Sequence, residues 1–343
     1  MVMTYLSQEG VQRAARYKYI GRDKSLIYAH IGSPLAQWCV DHLLPTWMAP
    51  NLVTLLGLVL LLITFSACAV LNPNLTVDGV PSHICILAAV TLTAYSILDN
   101  MDGKQARKTG TSSPLGLLFD HGCDALNATV VRAPSWRRSD KGQQHPRRAP
   151  SPAQLGPLTL FSAVGLSAAS WAAPLGWSLA ATGFYVSTWE EFHTGEFELP
   201  LINGPNEGIV IFVLGYLASA VLGPEWWHTP CCEVGGVSLM PLHGLLGFFA
   251  VALVATLTDS VTIILNRAHQ PRNLTAEEVA AGMRVDVSMC AAWGRMLPVA
   301  AYWGVAFAGH YLAPHVVNWC PFLWYTTLGV AFTFLVTKLM LSH

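Results

Sequence analysis

The chain places four aspartates at the ends of segments that otherwise look buried in lipid. The apolar run 84–98 leads directly into the first pair, Asp99 and Asp102, and a partly apolar segment holds the second pair, Asp120 and Asp124. A carboxylate in or beside hydrocarbon is costly unless it is paired or bound to a metal ion. This placement therefore indicates a functional site where two helices end at a membrane surface.

The composition supports a membrane location for these segments. The chain has 343 residues, of which 53% are hydrophobic and only 11% are charged, whereas a soluble domain carries about 25% charged residues. We therefore expect an all-α polytopic membrane protein with roughly eight or nine transmembrane helices. The net charge of −1 gives no indication of a nucleic-acid partner.

The spacing of the first acidic pair places both carboxylates on one face of a helix. Asp99 and Asp102 are three residues apart, and the small residues Gly103 and Ala106 project near the same face. Residues at this spacing are neighbours on the surface of an α-helix. Arg107 follows directly after Ala106. The pattern predicts a helix end that presents two acids, small side chains and one cation.

The second acidic pair predicts a similar helix. Asp120 and Asp124 are four residues apart, and Gly116 lies one turn before Asp120. Pro114 suits the start of this helix, and either Ser112 or Ser113 is suited to cap it. If the two helices face each other, their four carboxylates suit Mg²⁺ or Mn²⁺, and two such ions lie about 3.5–4 Å apart in phosphoryl-transfer sites.

Together, the two helices match D-x-x-D-G-x-x-A-R-x8-G-x3-D-x3-D, a pattern that resembles the CDP-alcohol phosphatidyltransferase family. Its eight fixed positions are filled by Asp99, Asp102, Gly103, Ala106, Arg107, Gly116, Asp120 and Asp124. The resemblance implies that the four aspartates hold the metal and that Arg107 clamps a phosphate. It also implies that Gly103, Ala106 and Gly116 leave room for the nucleotide.

Two further roles follow from the resemblance with alternatives left open. Asn51 follows Pro50 at the start of the first span, where it is either a contact to the CDP moiety or a plain N-cap. The general base is either His121 or Asp124. We favour His121 because a carboxylate bound to a metal has a lowered pKa and is a poor base; the alternative is that His121 only fills space. Leu117 stands where the ethanolamine and choline phosphotransferase branch of the family commonly has Glu.

The string Asp-His-Gly-Cys-Asp at 120–124 resembles the ethanolamine and choline phosphotransferase branch of the family. This implies transfer of phosphoethanolamine or phosphocholine from CDP-ethanolamine or CDP-choline to diacylglycerol, with release of CMP. A homodimer in the lipid bilayer is implied as well. Residues 188–195 resemble a cytosolic loop of these enzymes, in which Glu190 is either a contact to the substrate amine or part of a solvated acidic loop.

The distribution of charge predicts how the chain is organised across the membrane. Residues 1–50 form an amphipathic segment rich in Lys and Arg, and residues 51–343 form the transmembrane phosphotransferase domain. The cations Lys104, Arg107 and Lys108, which follow the first acidic pair, place the site at the cytosolic face of the membrane. The family resemblance implies that this membrane is that of the endoplasmic reticulum or Golgi. Within this domain, residues 132–152 are a basic segment that we interpret as an insertion, and the C-terminus looks truncated relative to the family.

Three other functions compete with this interpretation. Acids that face a membrane cavity are also typical of a transporter or ion pathway, although the acids here cluster with Arg and Gly at phosphate-binding spacing. Leu117, the basic segment and the short C-terminus are features of an inactive homologue. An enzyme specific for inositol or glycerophosphate is disfavoured by the 120–124 string and the loop around Trp189.

Overall fold

The computed structural model shows a bundle of helices. It describes residues 28–113, 116, 119, 155–194, 205–269 and 288–341. A π-helix at Tyr28–Gly32 precedes the first α-helix, and a 3₁₀-helix covers Pro224–His228. In chain order the α-helices are α1 (Ser33–His42), α2 (Pro50–Leu71), α3 (Ser82–Thr109), α4 (Leu155–Ala163), α5 (Ala172–Thr194), α6 (Pro205–Leu222), α7 (Pro241–His269), α8 (Met289–Gly294), α9 (Leu297–Leu312), α10 (Pro314–Trp319) and α11 (Pro321–Leu341).

Several of these helices have the length and composition of membrane spans. Within the described ranges, three meet both requirements: Pro50–Leu71, Ser82–Thr109 and Pro241–Asn266. Shorter apolar helices cover Gly208–Leu222 and Pro321–Val336. Helix α2 leaves large apolar side chains exposed on its outer side, as expected for contact with lipid. These include Leu52, Leu55, Leu56, Val59, Leu62, Ile63 and Val70. A helix-rich membrane protein is thus confirmed.

Helices α2 and α3 pack closely against each other and form the framework of the site. Gly57 of α2 faces Tyr95 of α3, and a Cβ added to Gly57 would lie only 2.9 Å from a Tyr95 ring carbon. Further along the pair, the buried hydroxyls of Thr64 and Thr91 share a hydrogen bond of 2.7 Å. A small residue and a polar contact between apolar helices are typical of close packing in membranes.

The second half of the bundle is held by aromatic packing. Trp177 of α5 and Tyr325 of α11 have ring centroids 5.2 Å apart, and Phe161 of α4 contacts both rings edge-on. The Trp177 indole N–H donates to the hydroxyl of Tyr302 on α9. Edge-on and tilted aromatic pairs add to the stabilisation that burial provides. These contacts join four helices around one core.

One element departs from the all-α prediction. Strands β1 (Cys232–Val234) and β2 (Val237–Leu239) form an antiparallel hairpin in which Val234 pairs with Val237. The turn residues Gly235 and Gly236 have φ values of +59° and +79°. Two successive residues with positive φ match the twist of a tight hairpin, and glycine adopts them without strain. The Gly-Gly pair between apolar residues was the sequence signal for this hairpin.

Helix α1 is attached to α3 by two lysines one turn apart. The Lys108 ammonium donates to the carbonyls of Val40 and Leu44 at 2.5 and 3.4 Å, at the C-terminal end of α1. Lys104 donates to Ser33 near the start of α1 at 3.0 Å. A cation at the C-terminus of a helix satisfies carbonyls that lack intrahelical partners. The lysines of the motif segment therefore fix the position of α1.

Gln105 anchors the loop between α1 and α2, and we expect its replacement to loosen this loop. Its buried amide donates to the carbonyls of Pro45 and Met48 at 2.9 and 3.0 Å. Gln105→Leu removes both donors. A typical hydrogen bond contributes about 0.5–1.5 kcal/mol, so we expect the loss of two to cost about 1–3 kcal/mol. The thermal unfolding temperature of detergent-solubilised protein should fall clearly.

Gln37→Leu is the control for this prediction. Gln37 is exposed and donates to Asp41 within α1 at 3.0 Å, and exposed substitutions usually change stability by about 0.5 kcal/mol or less. Equal unfolding temperatures for the two variants would contradict the anchoring role of Gln105.

Candidate active site

The first acidic pair lies in the last turns of α3, and both of its carboxylates are buried. Asp99 is 5% exposed and Asp102 is 6% exposed, and α3 continues beyond them to Thr109. The helix ends at Gly110, whose φ of +68° gives the left-handed cap that favours glycine. The sequence prediction that Asp99 and Asp102 share a helix is confirmed. Their burial is the costly arrangement expected of a functional group.

Asp102 is held by groups on two helices. The hydroxyl of Thr54 on α2 donates to Asp102 Oδ2 at 2.7 Å, and Thr54 itself is buried. The backbone N–H of Gly103 donates to Asp102 Oδ1. Hydrogen bonds that donate to a carboxylate stabilise its charged form. The carboxylate thus has fixed contacts on both oxygens.

The start of the second motif helix lies beside the start of α2. Ser113 Oγ accepts a hydrogen bond of 3.0 Å from the Gly116 N–H, so the prediction that Ser112 or Ser113 caps this helix is confirmed for Ser113. A methyl group placed on Gly116 would lie 3.5 Å from Asn51 Oδ1. The fold therefore brings Asn51 and Gly116 together.

Asn51 is not the N-cap of α2, which corrects one of its two predicted roles. Helix α2 begins at Pro50 with Ala49 as its N-cap, so Asn51 already lies inside the first turn. Pro is favoured at this first position because it lacks an N–H and its φ is fixed. The Asn51 side chain is exposed. Its role as a contact to CDP stays a prediction.

The remaining motif residues on α3 are graded in exposure towards the helix end. Gly103 and Ala106 are half-buried and Arg107 is exposed. The small residues leave the backbone of α3 accessible next to the acids, because neither carries a side chain beyond Cβ. The Arg107 guanidinium has five N–H donors suited to phosphate. This end of α3 therefore combines carboxylates, open backbone and a cation.

Asp120, His121 and Asp124 lie outside the described residues, as do residues 132–152. Among the described ranges, no three His, Cys, Asp or Glu side chains lie close enough together to hold a metal ion. The two buried carboxylates on α3 fit the hard oxygen donors that Mg²⁺ and Mn²⁺ prefer. The predicted set of four aspartates stays a prediction.

The segment around Glu190 differs from the predicted cytosolic loop. Helix α5 continues through this segment to Thr194. Glu190 is 0% exposed and its Oε2 accepts a hydrogen bond of 2.5 Å from Ser260 on α7. Trp189 in the same segment donates to the Ala292 carbonyl at 2.7 Å. No Gly or Pro lies between Thr188 and Thr194 to interrupt the helix there. The solvated-loop interpretation is wrong for residues 188–194, and an amine contact at Glu190 stays a prediction.

Sequence reasoning missed Thr54 as a contact of the site. The hydroxyl is three residues after Asn51 and therefore lies on the same side of α2. A polar residue on the buried face of an apolar span, at helical spacing from a candidate site residue, was the available signal. Its partner could not be identified without the packing of α2 on α3.

Comparison of the sequence with known proteins shows which family it is similar to. A family model described as CDP-alcohol phosphatidyltransferase matches residues 47–138. The chain is 30% identical to choline/ethanolaminephosphotransferase 1 of Arabidopsis thaliana, over 99% of this chain and 79% of the relative. It is 25% identical to cholinephosphotransferase 1 of Saccharomyces cerevisiae, again over 99% of this chain and 79% of the relative.

A third relative carries the family name itself. The chain is 30% identical to an uncharacterized CDP-alcohol phosphatidyltransferase class-I family protein of Schizosaccharomyces pombe, over 97% of this chain and 80% of that protein. The matched region contains both acidic pairs, α2 and α3. The chain therefore belongs to the CDP-alcohol phosphatidyltransferase family and is an enzyme of that family.

Proposed function

We propose that this enzyme transfers phosphoethanolamine or phosphocholine from the CDP-aminoalcohol to diacylglycerol and releases CMP. The observation that carries the proposal is the pair of buried carboxylates, Asp99 and Asp102, at the end of a helix long and apolar enough to cross a membrane. Acids in this position suit a divalent cation that neutralises a diphosphate at the membrane surface, and Arg107 suits the phosphates themselves. The names of the plant and yeast relatives, choline/ethanolaminephosphotransferase and cholinephosphotransferase, support an aminoalcohol substrate.

Asp99, Asp102, Asp120 and Asp124 would hold Mg²⁺ or Mn²⁺ in this reaction. When bound, such ions neutralise the diphosphate and stabilise the charge that develops on the leaving CMP. Of the described pair, Asp102 has its carboxylate held by hydrogen bonds from Thr54 and from the backbone N–H of Gly103. Fixed carboxylates need little rearrangement when the substrate arrives.

The other motif residues would bind the donor. Arg107 would clamp a phosphate through two parallel N–H donors. Gly103, Ala106 and Gly116 would let the nucleotide approach the helix backbone. Asn51 would contact the CDP moiety, which is supported by its position beside Gly116. One end of the α2–α3 pair would thus recognise the part of the substrate that becomes CMP.

The transfer itself forms one bond and breaks one. The hydroxyl oxygen of diacylglycerol bonds to the phosphorus that carries the aminoalcohol, and the bond from that phosphorus to the CMP oxygen breaks. We assign the hydroxyl proton to His121 as the general base, with Asp124 as the alternative. The apolar exterior of the helices would let diacylglycerol arrive from within the bilayer.

We further propose the arrangement of the chain in the membrane. About eight or nine spans would form the domain 51–343, and residues 1–50 would lie at the cytosolic surface of the endoplasmic reticulum or Golgi membrane. The exposed apolar side chains of Ile31, Trp38 and Trp47 support an interfacial position for this segment. Lys104 and Lys108 lie at the end of α3 that contacts α1, and these cations support a cytosolic location of the site. A homodimer would be the assembly.

Release of CMP from purified enzyme in liposomes tests the proposal. Diacylglycerol is supplied with CDP-ethanolamine or with CDP-choline, and parallel reactions supply CDP-diacylglycerol with inositol or glycerol phosphate. We expect release from the CDP-aminoalcohols only, and the faster donor identifies the preferred headgroup. Release confined to the CDP-diacylglycerol reactions would overturn the substrate assignment. No release from any donor would favour a transporter or an inactive homologue.

A further inference from the structure

We infer that Thr54 is a positioning residue that orients the Asp102 carboxylate for its metal ion. The Thr54 hydroxyl lies 2.7 Å from Asp102 Oδ2, and this contact joins residues that are 48 positions apart in the chain. Thr54 is 1% exposed, so water does not compete for the hydroxyl. The inference rests on the proposed metal-dependent transfer.

The Thr54 hydroxyl has two possible acceptors, and the geometry favours the Asp102 carboxylate. A threonine hydroxyl has a single proton, and within α2 it also lies 3.3 Å from the Pro50 carbonyl. The shorter distance and the negative charge make Asp102 the stronger acceptor, because hydrogen bonds to ionised groups are shorter and stronger than neutral ones. The Thr54 hydroxyl therefore donates its hydrogen bond to Asp102 Oδ2, and this bond limits rotation of the carboxylate.

Helix α2 contributes a second residue to the site besides Thr54. Asn51 and Thr54 are three residues apart and share one side of α2. Asn51 lies beside Gly116 at the start of the second motif helix, whereas Thr54 contacts α3. The same side of α2 thus lies next to Asp102 in the first half of the motif and Gly116 in the second.

Next to the Thr54–Asp102 contact, a small apolar cluster holds α2 in position against α3. Val53, next to Thr54, packs with Met101, next to Asp102, and with Ala36, Cys39 and Val40 of α1. These five side chains are buried. The cluster keeps the backbone of α2 in place when only the hydroxyl of Thr54 is removed. A variant that lacks this hydroxyl therefore isolates its effect on the carboxylate.

Thr54→Val is the test, since valine keeps the shape and loses the donor. Loss of a group that orients a metal ligand typically weakens metal affinity about 10–100-fold. We expect the Mn²⁺ concentration for half-maximal CMP release to rise about 10-fold, with the rate at saturating Mn²⁺ changed less than about 3-fold. Direct Mn²⁺ binding, measured by electron paramagnetic resonance without substrate, should weaken by the same factor. Thr54→Ser keeps the hydroxyl and should stay near wild type.

Thr64→Val is the matched control. Its hydroxyl also joins α2 to α3, through Thr91 at 2.7 Å, and both residues are buried, but neither hydroxyl bonds to Asp99 or Asp102, the described acids of the motif. We expect it to lower thermal stability with no change in Mn²⁺ binding. Unchanged Mn²⁺ binding in Thr54→Val would overturn the inference and leave Thr54 as a packing contact only.

Two further arms keep the test decisive. If Thr54→Val does not accumulate, Thr54→Ala is measured against Thr54→Ser for Mn²⁺ binding, with the same expected difference and the same contradicting result. If wild type and Asp102→Asn bind Mn²⁺ equally, the proposed metal site itself fails, and the inference about Thr54 fails with it. Metal binding by wild type that is lost in Asp102→Asn but kept in Thr54→Val would overturn the role of Thr54 alone.

Discussion

Asp102→Asn is expected to lower CMP release about 100-fold or more at saturating substrate. The amide has nearly the same shape as the carboxylate but carries no negative charge for a metal ion. Losing one group that stabilises charge in the transition state typically costs a factor of about 10²–10³. The measurement is the steady-state rate of CMP release at several Mg²⁺ and Mn²⁺ concentrations.

Asp41→Asn is the control for this loss. Asp41 is a carboxylate on α1 that accepts hydrogen bonds from Gln37 at the exposed surface, and we expect its replacement to leave the rate within about 2-fold. The unfolding temperature of Asp102→Asn in chelator should stay within about 3 °C of wild type, because its shape is kept. An active Asp102→Asn enzyme would contradict a role for this carboxylate.

Gly165→Ala is expected to give the largest loss of stability. Gly165 has a φ of +64°, and a Cβ added there would lie 2.2 Å from the Val77 carbonyl oxygen. The strain of the left-handed conformation costs about 1–2 kcal/mol, and the backbone of the facing loop must also move. We expect a total above about 3 kcal/mol, in the range of strongly destabilising substitutions, and poor accumulation of folded protein.

Gly110→Ala separates the two causes of this loss. Gly110 has a similar φ of +68°, but among the described residues, its own helix backbone and chain neighbours aside, no atom lies within 4 Å of an added Cβ. Its replacement should cost only the conformational strain, and its unfolding temperature should lie between those of wild type and Gly165→Ala. The same unfolding temperature for both variants would contradict the close approach of residues 165 and 77.

The loops around Gly165 explain why one methyl group has such an effect. The Ala168 N–H donates to the Leu75 carbonyl at 3.0 Å, and the His228 ring contacts the Gly165 carbonyl at 3.0 Å. Three connections of the bundle, after α2, after α4 and after α6, therefore meet at this corner. A displacement of Val77 would disturb all three.

The sequence allowed the helices of the motif to be predicted because their signals are local. Pro50 before a long apolar run predicts the start of α2. The spacing of Asp99 and Asp102, and the serines before Pro114, likewise depend on residues close in the chain. Such signals survive in the folded protein because tertiary packing does not oppose them. The structure confirms each of them within the residues it describes.

Contacts between distant segments were beyond the reach of sequence patterns. Neither the partner of Thr54 on α3 nor the carbonyls bound by Gln105 could be found without the packing of α2, α3 and the preceding loop. Glu190 was misplaced for a related reason. Its segment is polar and resembles a loop. In the fold, however, Ser260 donates to Glu190 and Trp189 donates to the Ala292 carbonyl, so these polar groups are satisfied inside the bundle and the segment is helical.

The most direct test of the account measures CMP and the new phospholipid in the same liposomes. Purified enzyme receives diacylglycerol and a CDP-aminoalcohol with Mg²⁺ or Mn²⁺, then chelator, then excess metal. The expected result is equal amounts of CMP and phosphatidylethanolamine or phosphatidylcholine, which stop forming in chelator and resume with metal. CMP without matching phospholipid, or equal rates in chelator, would contradict metal-dependent transfer to diacylglycerol at the Asp99–Asp102 site.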